Sequence, residues 1–315
     1  MTGAADDDPS GIATYSQAGA AFGFALLWPV VLAWPFLTAF QFTCAEIARV
    51  TGKGLAAAGY AVFDIAAQAE PITTPADGLV TGWETLPGGL PAFVARPASK
   101  GKHPAVIVVN EIFGVHEWIK DVCRRFAKAG YVAVAPEYFF RGDPDKTLPT
   151  LKDFPAIRAI VAKAGLEQVM GDTKTTLDWL GTQKFVSPKK LAITGFCWGG
   201  GITWMAAARF PELKAGGAWY GGLKGNPGLE NRRFPMDVVD DLKAPVLGLY
   251  GALDKGIPVA DVEAMQAKLK GSKSSIILYP DADHGFLADY RPSYNAAAGK
   301  DAWERLPKHF RDNGV

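Results

Sequence analysis

Cysteine and histidine are scarce in this chain, three of the first and four of the second among 315 residues. Cys44, Cys123 and Cys197 stand too far apart for a metal knuckle or a disulfide framework. His103, His116, His284 and His309 leave little material for a zinc site, so neither a metal nor a cofactor is expected. Charge of one sign is lacking too. Thirty-three basic residues meet 32 acidic ones, without a basic stripe, which removes the electrostatic case for nucleic acid as a partner. Internal repeats and low-complexity tracts are absent. What remains is a globular composition, 49% hydrophobic and 21% charged, with few groups able to do chemistry.

One region lacks charge altogether. Nothing between Asp8 and Glu46 is ionised, and residues 18–40 are almost wholly apolar or glycine. As a helix that stretch would be about 34 Å long, enough to cross a bilayer core. Pro29 and Pro35 would bend it, and Trp28 and Trp34 fall near its middle rather than at its ends. Three readings stand here: a membrane span, a packed soluble helix, and an atypical export signal. Asp6, Asp7 and Asp8, in place of basic residues, weigh against the last. If the segment spans, Arg49 and Lys53 put the rest of the chain on the cytoplasmic side. The expected division is a flexible acidic N-terminus (residues 1–17), a hydrophobic, Ala-rich helical extension (18–69) and a catalytic domain (70–315).

From residue 78 onward the pattern is regular. β-Rich runs at Leu79–Leu86, Pro91–Arg96, Ala105–Asn110, Tyr131–Pro136, Leu191–Gly195, Gly216–Tyr220, Pro245–Tyr250 and Ser275–Pro280 predict about eight strands. Helix-length segments at His116–Ala129, Glu167–Gly181, Trp198–Phe210 and Val259–Leu269 alternate with them, and an amphipathic helix closes the chain. Strands alternating with helices imply an α/β fold with a mostly parallel sheet covered on both faces. The runs Ala105–Val109 and Val132–Ala135 are apolar throughout, as doubly covered strands should be. The first two runs flank Pro87-Gly88-Gly89 and predict an antiparallel hairpin.

Gly195-Phe196-Cys197-Trp198-Gly199-Gly200 lies between a strand and a helix. This is the setting of the G-x-S-x-G nucleophile elbow, with cysteine replacing serine, so an α/β-hydrolase fold follows. In that fold the acid and the histidine come later in the chain, each in a loop after a strand. Of the two histidines beyond Cys197, His284 sits in such a loop, whereas His309 belongs to the closing helix and is expected at the surface. Asp254 follows the preceding strand. Asp281 and Asp283 are competing acids, but too near His284 in sequence to reach its ring easily. Cys197 as nucleophile, His284 as base and Asp254 as orienting acid are the expected triad. The backbone N–H groups of Trp198 and Ile112 are the expected oxyanion donors. Tyr220 either lines the substrate site or packs in the core.

Residues 70–315 resemble the dienelactone hydrolases (carboxymethylenebutenolidases). The likeness rests on Asn110-Glu111-Ile112-Phe113-Gly114-Val115, Pro136-Glu137-Tyr138-Phe139-Phe140-Arg141, the elbow, Gly251–Asp254 and His284-Gly285-Phe286. The resemblance implies two further roles. Glu111 would regulate the Cys197 thiol, and Arg141 would bind substrate. A second family arginine, four residues after the histidine, is here Ala288, with Arg291 three residues further on. The implied activity is hydrolysis of a lactone or small carboxylic ester through a thioester. A broader esterase or thioesterase with the same triad is the alternative. A membrane-tethered binding protein that kept only the fold is a third reading, which would predict damage to the triad. Oligomeric state is not legible in the sequence.

Overall fold

The computed structural model describes residues 73–225 and 233–315. The expected anchor at residues 18–40 and the remaining residues of the extension lie outside them. Residues from Ala69 to Val315 form one compact unit.

Eight strands build one sheet in the order β1-β2-β4-β3-β5-β6-β7-β8. They are β1 (Leu79–Leu86), β2 (Leu90–Pro97), β3 (His103–Val109), β4 (Val132–Pro136), β5 (Val186–Phe196), β6 (Leu213–Trp219), β7 (Val246–Gly251) and β8 (Ser275–Tyr279). β1 and β2 form the expected antiparallel hairpin, and β2 also runs antiparallel to β4. Every other pairing is parallel. Burial follows the sequence pattern. β4 and residues 105–109 of β3 are buried, while β1 at the sheet edge is mostly exposed, Val80 and Trp83 included.

The helices are α1 (Glu117–Lys128), α2 (Phe154–Val161), α3 (Leu166–Thr182), α4 (Trp198–Arg209), α5 (Pro235–Val238), α6 (Val259–Lys268) and α7 (Ala296–Asp312). α1 buries Trp118, Ile119, Val122, Cys123 and Phe126, the three-and-four spacing that puts side chains on one helix face. The sequence reading passed over α2 and α5. α2 starts with Asp153 accepting from the Ala156 N–H and Pro155 in the first turn, a start signal on a helix too short to show clear periodicity. His309 departs from expectation: it is half-buried, with Nε2 3.2 Å from the Pro245 carbonyl oxygen. Burial holds its pKa below the usual histidine value.

Glu111, Cys197, Tyr220, Asp254 and His284 follow β3, β5, β6, β7 and β8 respectively. All five therefore sit at the carboxyl edge of the parallel strands, where open α/β sheets bind ligands.

Candidate active site

The turn from β5 into α4 is made at Cys197, with φ 54° and ψ −117°, a conformation that costs energy in any residue bearing a side chain. Its N–H donates to the Trp219 carbonyl at 3.0 Å, which ties the elbow to β6. Gly195 and Gly199 make the turn physically possible. A Cβ on Gly195 would lie 2.1 Å from the Gly199 carbonyl oxygen, and one on Gly199 would lie 2.5 Å from that of Val109. The second contact also brings the start of α4 against the end of β3, where Glu111 and Ile112 follow.

His284 donates from Nδ1 to Asp254 Oδ2 at 2.6 Å. The other carboxylate oxygen of Asp254 accepts from the Gly256 N–H at 2.8 Å, and the side chain is nearly sealed from solvent. Asp283 is turned elsewhere, accepting the backbone N–H of His284. Burial disfavours a charged His284, but hydrogen bonds to Asp254 and then Cys197 more than offset it and push the imidazole pKa up to about 10. Nε2 is thus the nitrogen left for the sulfur. Among the described residues, the N–H groups of Ile112 and Trp198 find no acceptor, and both residues line one cavity of about 380 Å³. Trp198 is the first residue of α4, so its N–H is one of those a helix leaves open.

Glu111 is fully buried. Its Oε2 accepts from Arg291 Nη2 at 3.0 Å and from the Tyr290 hydroxyl at 3.3 Å, with His116 Nε2 at 3.5 Å. Burial alone would raise this carboxyl, but Arg291 first and His116 second outweigh it and hold the pKa below the ordinary carboxylate range. Arg291, mostly buried, donates from Nε to the Tyr290 hydroxyl at 3.2 Å and lies over the Phe113 ring at 5.4 Å. Tyr220 is also fully buried, with φ 36° and its ring centre 5.1 Å from that of His284. Neither its hydroxyl nor Glu111 Oε1 has a hydrogen-bond partner. Burial, then the negative charge of Glu111, drives the Tyr220 phenol well above its usual pKa, so it faces the site as a donor.

Cys197, His284, Asp254, Glu111 and Tyr220 thus come together in one cluster. Arg141 is not brought into it. Its guanidinium makes a two-pronged pair with Asp172, at 2.7 and 2.9 Å, and stacks on Phe140 at 4.3 Å. The cation in the cluster is Arg291, whose place the sequence marked only as an offset from the histidine. Tyr290 and His116 were missed. The one available signal was that a carboxylate at the end of a buried strand requires partners. Cys123 is sealed within α1, and burial raises its thiol pKa far above normal, so it is inert. No cluster of three or more metal-ligating side chains occurs among the described residues.

Comparison with known proteins identifies the family of this domain. The profile of the Dienelactone hydrolase family matches residues 90–313. Residues 1–68 separately match the profile described as Natural resistance-associated macrophage protein-like. A "Putative carboxymethylenebutenolidase" from Escherichia coli O157:H7 is 48% identical over 252 residues, spanning 77% of this chain and 91% of that protein. One of the same name from Methylorubrum extorquens is 47% identical over 261 residues, 81% of this chain and 88% of that one. A solved structure of a "Putative Dienelactone Hydrolase" from Klebsiella pneumoniae superposes with a TM-score of 0.69 at 44% identity, covering 74% of this chain and 98% of the other. A glycine-flanked strand–turn–helix on an eight-stranded sheet, with the family profile matched over more than two thirds of the chain, leaves one assignment: the protein belongs to the dienelactone hydrolase family, hydrolases of ester and lactone bonds.

Proposed function

We propose that residues 70–315 are a catalytic domain that cleaves a lactone or small carboxylic ester through a thioester on Cys197. The observation that carries this is the strained elbow at Cys197 combined with the 2.6 Å His284–Asp254 bond. His284, whose raised pKa favours the protonated imidazole, holds the Cys197 proton at Nε2, and the resulting thiolate attacks the carbonyl carbon. The oxyanion that forms is met by the N–H groups of Ile112 and Trp198, each such donor being worth about 3–4 kcal/mol. The carbonyl–oxygen bond then breaks, and the leaving alkoxide takes its proton from His284. Water, deprotonated by the same imidazole, attacks the thioester and returns the proton to sulfur. Asp254 fixes the tautomer throughout.

Arg291, rather than the Asp172-bound Arg141, is the cation we assign to a substrate carboxylate, with the Tyr220 hydroxyl beside it. An incoming carboxylate competes with Glu111 for Arg291, so substrate binding and release of Glu111 are linked. That link supports the regulatory role of Glu111 toward the thiol.

The test is hydrolysis of a dienelactone beside a neutral short-chain aryl ester. Preference for the dienelactone, abolished in Cys197→Ala and retained in Cys123→Ala, is expected. Arg291→Lys should lower dienelactone turnover more than Arg141→Ala does. Activity that survives loss of Cys197 refutes the nucleophile, and preference for the neutral ester refutes the anionic substrate.

We further infer that residues 18–40 attach the enzyme to a membrane with the catalytic domain on the cytoplasmic side. The uncharged run and the basic Arg49 and Lys53 behind it support this. Among the described residues no helix is long and apolar enough to cross a membrane.

A further inference from the structure

The cavity of about 380 Å³ bordered by Ile112 and Trp198 is not lined by Glu111 or Arg291. Ile157 and Val161 of α2 wall it on one side, and Ile202 and Met205 of α4 on the other. It shares Leu166, Met205 and Arg233 with a second cavity of about 840 Å³, lined further on by Met170, Ala208 and Val238. Neither cavity is lined by Cys197, Asp254 or His284; the smaller one meets the site at Ile112 and Trp198. The two adjoin at Leu166, Met205 and Arg233, so a groove extending from Ile112 and Trp198 along α4 is within reach of both. Most of the wall is aliphatic or thioether, while Glu167, Arg209, Asp241 and Lys243 also border the larger cavity. At the rim, Lys224 and Arg233 are neutralised by Asp261 and Asp241, and Arg158 is exposed to solvent.

An apolar groove that starts beside the two oxyanion donors is placed to take a substituent of the carbonyl they hold. We infer that it is the site of an unbranched alkyl chain on the acyl part of the substrate, so that the enzyme favours medium-chain acyl groups. The acyl part is the one that stays beside Ile112 and Trp198 through both halves of the reaction, because it remains bound to sulfur. Pockets for small molecules fall at roughly 300–1,000 Å³, and each of the two cavities alone lies in that range, leaving room for a chain well beyond acetate. Met170 and Met205 suit an occupant of variable length, since the thioether side chain fills irregular gaps by rotating. This inference rests on the cysteine-hydrolase reading above and adds the class of acyl chain to it.

The experiment is kcat/KM for p-nitrophenyl esters from acetate to decanoate, with the leaving group held constant. A fully buried methylene is worth about fourfold, so even partial burial in an open groove should favour octanoate over acetate by about tenfold or more. Met205→Trp and Leu166→Trp each place bulk where the cavities join and should collapse that ratio. Two positions on different helices keep the test intact if one variant folds poorly. Three outcomes would overturn the inference while Cys197-dependent hydrolysis persists. One is a flat or falling series, another is a ratio that both variants leave unaltered, and the third is a preference that follows the alcohol chain in a series of alkyl acetates. Loss of every Cys197-dependent activity across the series would instead sink the hydrolase reading itself.

Discussion

Arg291→Met removes the cation that lets Glu111 remain ionised inside the protein, and the cost can be worked out as a function of pH. With Arg291 present the Glu111 pKa is depressed, so the pair stabilises the fold above the unfolded carboxyl value of 4.5, an effect lost as pH falls through the lower folded value. Without Arg291, burial is opposed mainly by His116, with His284 contributing least, and the folded pKa rises. The buried carboxyl then stays charged at a cost or takes up a proton. Protonation costs about 1.4 kcal/mol for each pH unit above its unfolded pKa. This sets a ceiling of about 5 kcal/mol at pH 8 and about 1.4 kcal/mol at pH 5.5, and the upper figure agrees with the 3–5 kcal/mol typical of a broken buried pair. For a domain of this size, 3–5 kcal/mol lowers Tm by about 6–20 °C. Thermal melts of wild type and Arg291→Met at both pH values read this directly, with a much smaller gap expected at pH 5.5. Adding Glu111→Gln should restore most of the loss, because it removes the uncompensated charge. Equal losses at both pH values, or a double variant as unstable as the sum of the singles, would refute this account of the pair.

Two other outcomes follow from features already described. Glu137, buried beside Gly114, accepts the Val115 N–H at 2.7 Å and thereby fixes the loop carrying Ile112. Glu137→Ala should lower kcat by about 10–100-fold with KM little changed, whereas Glu137→Gln, which keeps an acceptor, should recover most of it; steady-state kinetics on a p-nitrophenyl ester separate the two. Deleting residues 1–69 should move the enzyme from the membrane to the supernatant fraction, and an unchanged distribution in both fractions would show that residues 18–40 do not anchor it.

The elements that could be read from sequence were those with strong one-dimensional signals. Residues 105–109 and 132–135 are apolar without interruption, so their place in a doubly covered sheet was plain. The glycines around Cys197 announced a turn that only glycine permits, and the chain order of nucleophile, acid and histidine singled out Asp254 and His284. Partners could not be read in the same way. Glu111 and Arg291 are 180 residues apart, and nothing local in either segment says that they meet. Arg141 shows the reverse failing. Family resemblance directed it to substrate, but Asp172 lies one turn ahead of Thr176 on α3, a helix whose orientation becomes visible only in three dimensions. The short α2, which walls the proposed acyl groove, was likewise invisible because its eight residues hold barely two turns.

The sheet order has a consequence for how activity is lost. Cys197 follows β5, in the middle of the sheet, whereas Asp254 and His284 follow β7 and β8, and among the described residues β8 is an edge strand with one neighbour. An opening confined to that margin would withdraw the imidazole and its carboxylate from the sulfur while β3, β4 and β5 stayed paired. On the proposed mechanism, turnover depends on the integrity of one border of the fold and can vanish while the hydrophobic centre remains intact.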